Sequence, residues 1–363
     1  MPSSADYRHL PLTACVTAPC ALQPRDVALW RKLLFNEPGL CTPFLSYAFA
    51  ATAAEVFYAV RVCQIRRGEI TVGFFSFQFR SIAHRLFGIG QRIGGELSDY
   101  FGIVAESGLS ITPRELLRLA KLSTMIFTHL DESQTRFGLD GESPKPGLRI
   151  ELPQGGRVYW DGLLRENKNL VKDTERRERK LINQYGRLNF IFRQAQPRPY
   201  LEHLIAAKRA QYRRTNAGDS LQSARVRRFL LKLAGCEDPE CKASMSTLHA
   251  GDTWVASHFG LMCGGTLHYW FPVYNPELHE FAPGRLLLKA IIDSSETHRV
   301  TAIDRGLGDA PAKQDFATAE HTFLNGLWSR PGLKTFLYRA GLSLQWRVGA
   351  RFTGNSKSGG HAD

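Results

Sequence analysis

No apolar run in this chain reaches the roughly 18 residues that a bilayer-spanning helix needs. The start, Met-Pro-Ser-Ser-Ala-Asp, lacks the charged-then-apolar order of a secretory signal. The expectation is a cytoplasmic protein, with room for attachment to the inner face of a membrane. Cysteine is sparse: there are seven, an odd number at irregular spacing, which argues against a disulfide framework. Cys236 and Cys241 share a polar loop, but no second pair accompanies them, so a structural zinc module is not expected. No helix-turn-helix, RNP motif or zinc finger is present, so nucleic acid is not an expected partner, tRNA excepted. No internal repeat is evident.

Disorder of the whole chain is not expected either. Of 363 residues, 43% are apolar and 22% charged, an ordinary globular balance, and the length suits two cores better than one. The charge is uneven. The net is +13, and between Arg165 and Lys232 eighteen Lys or Arg face six Asp or Glu, so nearly the whole excess sits in one fifth of the chain. Such a concentration attracts an anionic partner at long range: nucleic acid, a membrane surface, CoA or a nucleotide-activated sugar. Within it, Arg176, Arg177, Arg179 and Lys180 crowd one turn. They read either as a solvated helix face with Glu175 and Glu178 interspersed or as a clamp for an acceptor's phosphates.

The chain is organised around residues 269–313. Thr266 to Tyr274 is an aromatic strand between Gly264-Gly265 and Asn275-Pro276. After Pro283-Gly284-Arg285 comes a helix with Leu286, Leu287, Ala290 and Ile291 on its apolar side. Proline fits a first helical turn, glycine lets a ligand approach the backbone, and the free N–H groups there attract an anion such as a diphosphate. Val300 to Asp304 reads as a second strand, ending in the loop Arg305 to Lys313.

Around this stretch the expected elements are strands at 62–65, 70–79, 83–88, 189–192, 246–250 and 253–262, with Gly73 marking a bulge and Gly251-Asp252 a hairpin turn. Helices are expected at 24–34, 47–60, 113–126 (capped by Thr112 with Glu115), 163–184, 201–212, 223–233, 321–327 and 331–337. A closing strand is expected at 344–348. Ser143 to Gly147 reads as a linker, residues 1–22 as a loose arm, and 351–363 as a disordered tail by composition. The division that follows is 23–147 and 148–350, the latter with its basic helices at 163–233.

In order and spacing, Pro283, Gly284, Leu287, Asp304, Gly306, Gly308, Asp309 and Lys313 resemble the acyltransferase domain of CelD/BcsL-like proteins, a GNAT branch related to the FemABX transferases. Leu97-Ser98-Asp99-Tyr100-Phe101-Gly102, Thr42-Pro43-Phe44-Leu45-Ser46 and the basic helix at 164–185 resemble further parts of that family, over roughly residues 40–350. The resemblance implies an α+β, layered fold of two GNAT-like halves, each a mixed, mostly antiparallel sheet flanked by helices. It also implies acyl transfer from a CoA-type thioester, acetyl-CoA or another acyl-CoA, to an amine or hydroxyl of an amino sugar or polysaccharide precursor.

The acceptor is then nucleotide- or lipid-linked, and surface polysaccharide machinery is the implied partner. A FemABX-like aminoacyl-tRNA-dependent transferase and a non-catalytic scaffold are the alternatives. Phe281 and Leu286 stand where the usual phosphate loop carries Gln or Arg and a small residue, which leaves the donor open between acyl-CoA, a carrier protein and another activated acyl group. The implied donor site is Pro283, Gly284, Arg285, Leu286 and Leu287. The acceptor side is Asp99, Tyr100, Arg176, Arg177, Gly306, Asp309 and Lys313. Asp304 and His258 are base candidates and Tyr269 or Tyr274 the acid candidate, beside their ordinary roles of loop capping, core filling and strand packing.

Overall fold

The computed structural model describes residues 9–332. The first half supplies strands β1 (Leu12–Thr17), β2 (Val60–Arg67), β3 (Ile70–Gln78), β4 (Ile89–Gln91), β5 (Ile103–Ala105) and β6 (Thr124–Asp131). The second supplies β7 (Glu142–Glu151), β8 (Leu188–Ile191), β9 (Lys242–Ala250), β10 (Thr253–Cys263), β11 (Thr266–Tyr274), β12 (Ala302–Leu307) and β13 (Ala319–Ser329). They form one sheet in the order β1-β2-β3-β4-β6-β13-β7-β12-β11-β10-β9-β8, with β5 alongside β3.

Each half builds an antiparallel meander and then a parallel pair. In the first the pair is β4 with β6 (Ile89↔Thr124), and in the second β11 with β12 (Thr266↔Ala302). A parallel pair needs a crossover. Helix Pro113–Leu119 lies between the strands of the first pair and helix Pro283–Asp293 between those of the second. The fold is thus a mixed sheet flanked by helices, in two GNAT-like halves.

One core spans both halves. Trp30, Phe49 and Phe74 of the first half are continuous with Leu204 and Phe229 from the helices Pro197–Arg214 and Ala224–Leu233, and with Phe259 and Val273 on one face of the second half of the sheet. The other face carries a second core with helices Gly155–Glu166, Lys168–Tyr185 and Pro283–Asp293. Leu286, Leu287, Leu288, Ile291 and Ile292 are buried there, each contributing about 2 kcal/mol of transfer free energy. Among the described residues, no helix is long and apolar enough to cross a membrane.

The Gly73 bulge is present: Ile65 pairs with Gly73 and Arg66 with Thr71, and a Cβ on Gly73 would come 2.8 Å from that of Ala105. Thr112 caps its helix through the Glu115 amide, and Ala250 pairs with Thr253 across Gly251-Asp252.

Several elements differ from expectation. Residues 12–17 are a strand on β2 rather than part of a loose arm. Residues 82–87 are a helix, capped by Ser81. The helix from Thr112 stops at Leu119, and the chain then enters β6; the helix from Tyr47 stops at Ala54. The long basic helix is two, parted at Asn167, whose side chain caps the second through the Leu170 amide. Ser143 to Gly147 is no linker but part of β7, paired with β13. Residues 321–327 belong to β13, not to a helix. The helix expected to Leu337, the strand at 344–348 and the tail lie outside the described residues, as do residues 1–8.

Candidate active site

The site is set by a divergence in the sheet. β11 and β12 pair only over Thr266↔Ala302, Leu267↔Ile303 and His268↔Asp304. Beyond these, β11 runs on to Tyr274 beside β10, while β12 stays with β7, its partner from Ala302↔Glu151, out to Leu307↔Gly147. Tyr269–Tyr274 and Arg305–Leu307 are therefore the two arms of a V.

At the apex β11 bulges. Phe271 opposes Phe259 and His268 opposes Leu261, so Tyr269 and Trp270 together face Gly260. A bulge takes backbone groups out of the ladder. Gly260 is what admits it: a Cβ there would come 2.2 Å from the His268 carbonyl oxygen.

Two clefts open from the V. One, about 380 Å³, is lined by Pro283, Gly284 and Arg285 at the start of the site helix, with Tyr274. The other, about 440 Å³, is lined by Glu96 and Asp99 from the first half and by Trp270, Gly306 and Lys313 from the second. Lys208, Tyr269, Pro272 and Arg305 line both. The clefts thus meet at the bulge, with two cations at their junction.

The helix turn follows its chemistry. Ala282 adopts a left-handed conformation (φ 52°) and its carbonyl takes the amides of Arg285 and Leu286, leaving the Gly284 N–H as the spare donor of that turn. A Cβ on Gly284 would meet only the Tyr274 ring, at 3.7 Å. Arg285 is held by Asp173 at 2.9 Å, in a cluster with Arg176 and Arg177. Those two arginines hold the Asp173 carboxyl well below the ordinary range, with Arg285 adding to the effect. Arg176 and Arg177 line neither cleft and act as a structural ion cluster. Leu286 and Leu287 point into the core rather than toward a ligand. Asp309 is exposed and lines neither cleft.

Behind the second cleft the Tyr100 hydroxyl donates to Asp304 Oδ2 at 2.5 Å and lies 3.1 Å from His321 Nε2. Asp304 Oδ1 accepts the Gly306 amide at 2.7 Å, and His268 Nδ1 stands 3.7 Å from Oδ2. Burial pushes Asp304 up, but His268, His321, Tyr100 and the Gly306 amide outweigh it and keep the carboxyl below its usual range. With both oxygens engaged, Asp304 is an organiser of the loop and of Tyr100 rather than a free base. His258 is wholly buried, stacked on Tyr269 at 4.4 Å, and burial lowers it to about 3. It cannot reach an acceptor; it backs the Tyr269 ring.

Asp99 differs. It is half-buried on the cleft wall, and its Oδ2 lies 3.6 Å from the point where a Gly306 Cβ would stand. Desolvation, then the charge of Asp304, raises its carboxyl to about 7 against the pull of Arg92 and Lys313. Lys313 is fixed by the Leu307 carbonyl at 2.8 Å. Burial raises Tyr269 to about 12, so its hydroxyl is protonated at neutral pH.

The sequence reading missed Gly260, whose place inside a strand was the available signal for a bulge. It also missed Lys208 and Arg305, which only the fold brings to the clefts.

Residues 168–314 match the family described as an acetyltransferase (GNAT) domain. No protein of curated function matches the chain significantly in sequence. Among solved structures, FemX aligns with a TM-score of 0.59 at 9% identity, over 86% of this chain and 98% of FemX. A conserved protein of unknown function from Bacteroides thetaiotaomicron aligns with a TM-score of 0.51 at 9% identity, over 83% of this chain and 96% of that one. A tandem GNAT protein from the clavulanic acid biosynthesis pathway also aligns, at 13% identity and a TM-score of 0.48, over 89% of this chain and 100% of that one. At such identities the likeness is one of fold. Residues 168–314 are thus similar to the acetyltransferase (GNAT) domain family, and the chain as a whole is similar in fold to FemX.

Proposed function

We propose that the protein is a GNAT-type acyltransferase that moves an acyl group from a CoA-type thioester to an amine, with an amino sugar or polysaccharide precursor as the acceptor class. The observation that carries this reading is the meeting of two clefts at the β11 bulge. In it the donor's phosphates lie at Gly284 with Lys208 and Arg305, and the thioester carbonyl sits at the bulge. Backbone N–H groups released from the ladder at Tyr269 and Trp270 stabilise the oxyanion there, an interaction strongest in the transition state.

The acceptor approaches through the second cleft. Its nitrogen attacks the carbonyl carbon and gives its proton to the Asp99 carboxylate. The C–S bond then breaks, and the Tyr269 hydroxyl protonates the leaving thiolate. Asp99, whose carboxyl titrates near neutrality, replaces Asp304 and His258 as the base.

An activated donor other than CoA, such as an aminoacyl-tRNA or an acyl-carrier protein, is favoured by one observation: the turn at Gly284 has a single spare amide, a weak cradle for a diphosphate.

Calorimetric titration with acetyl-CoA and longer acyl-CoAs tests the donor. Gly284→Asp places a carboxylate at the phosphate position without a core clash. The expected result is binding to the wild type, at least tenfold weaker in a Gly284→Asp protein of unchanged melting temperature. Equal affinity in the two would remove the donor site, and no binding to the wild type would shift the donor to the tRNA or carrier-protein class.

A further inference from the structure

The described cysteines include one close pair that the acyl-transfer reading leaves unused. Cys41 Sγ and Cys263 Sγ stand 3.0 Å apart, from residues 222 positions apart in sequence. Cys41 is half-buried, whereas Cys263 is buried. The pair has a built seat: Gly264, at φ +55° in the β10–β11 turn, leaves the space that Cys41 fills, since a Cβ there would come 2.5 Å from its sulfur.

We propose that Cys41 and Cys263 are a peroxide-oxidisable thiol pair, Cys41 the attacking thiol and Cys263 the resolving one, whose disulfide pins the first half to the hairpin that carries the bulge. The chemistry is balanced. The Cys41 thiolate attacks one oxygen of hydrogen peroxide and the O–O bond breaks with loss of hydroxide, giving a sulfenic acid and one water after proton transfer. The Cys263 thiol then attacks that sulfur, the S–S bond forms, and a second water leaves. The peroxide takes the two electrons.

The electrostatics agree with these roles. The hydrogen bond from Cys263 and the Arg149 charge lower the Cys41 thiol, while the same hydrogen bond and burial raise Cys263. The more acidic thiol at the less buried position and the less acidic one behind it is the order that such a reaction needs.

The location gives the modification reach into the site. Cys41 leads directly into the turn Pro43–Leu45, and the Phe44 ring packs edge-on at 5.4 Å from both His268 and Trp270. A bond at Cys41 restrains the wall against which the bulge rests.

The test uses the full chain treated with hydrogen peroxide, digested without reduction and mapped by mass spectrometry. A linked Cys41–Cys263 peptide two hydrogens lighter than the thiols, with a melting temperature raised by the cross-link and returned by dithiothreitol, is the expected result. In Cys263→Ser, dimedone should trap a sulfenic acid on Cys41; in Cys41→Ser, Cys263 should stay reduced. A wild-type map in which Cys41 and Cys263 remain thiols while Cys15, Cys20 or the Cys236 and Cys241 pair oxidise would overturn the proposal. That map requires no variant to fold.

Discussion

Asp99→Asn separates the catalytic reading from a structural one, because it should harm activity and help stability. The unfolded carboxyl titrates near its ordinary value of 3.8 and the folded one near 7. Between those values the native chain holds a proton that the unfolded chain has lost, so stability falls as pH rises through the window. A shift of about 3 units corresponds to roughly 4 kcal/mol. That is a ceiling, since Asp99 is half-buried on a cleft that admits water. Asparagine keeps the shape and removes the titration. Urea unfolding at pH 3.5 should therefore find the two proteins alike. The variant should gain through pH 4–7 and hold a constant advantage, below about 4 kcal/mol, from pH 8 upward.

Over the same range, kcat/KM of the wild type should rise with a limb near pH 7, absent in the variant, with an overall loss of about 10²–10⁴-fold. Lys313→Met, which removes a charge that lowers Asp99, should move the wild-type limb upward. An Asn variant less stable than wild type at pH 8, or one that keeps the wild-type rate and profile, would refute the assignment.

Three further outcomes are expected. Gly260→Ala pushes a Cβ against the His268 carbonyl and should lower kcat by about 10²–10³-fold through displaced oxyanion donors. It should cost about 1–3 kcal/mol in urea titration, and a wild-type kcat would remove the bulge from the mechanism. Ala282→Gly relieves a left-handed alanine at the helix start and should stabilise by about 0.5–1 kcal/mol, read as a higher melting temperature; a lower one would show the methyl matters more than the backbone. Arg31→Ala strands the fully buried Glu240, which it meets at 2.6 Å, and should cost about 3 kcal/mol by denaturant unfolding, the low end for a buried pair because Arg31 is partly exposed. Glu240 also accepts the Ala48 amide at 3.0 Å, so an unchanged midpoint would mean that this bond alone satisfies it.

Local chemistry made much of this legible in the sequence. The strand at Thr266–Tyr274 was bounded by turn residues, and the helix after Pro283 had a clear apolar stripe. What failed was mostly periodicity broken by irregular pairing. In β13, Phe323, Leu324, Leu327 and Trp328 have helical spacing, and only bulges against β7 and β6 bring Phe323 and Trp328 to the same buried role. Ser-Pro-Lys-Pro-Gly has a linker's composition, yet it pairs with β13, a partner that lies far away in sequence. At the site, Pro283 and Gly284 stood out by type and order and Tyr269 by its place in an aromatic strand, whereas Asp99 was nominated only through the family resemblance, on the acceptor side and not as the base. Which carboxylate is free and which is tied depends on Tyr100 and Gly306, and no spacing rule encodes that.

The position of β13 has a consequence in time. This strand is the last described element of the chain, yet it lies in the middle of the sheet, between β6 and β7. Until the ribosome has released residues 319–329, β6 and β7 each present an unsatisfied edge, and the two halves have no strand between them. An emerging chain therefore holds a long-range pairing open through most of its synthesis, the condition in which edges recruit foreign strands. Among the described residues, β13 is the strand that joins the two halves of the sheet, so its late arrival leaves that seam open longest.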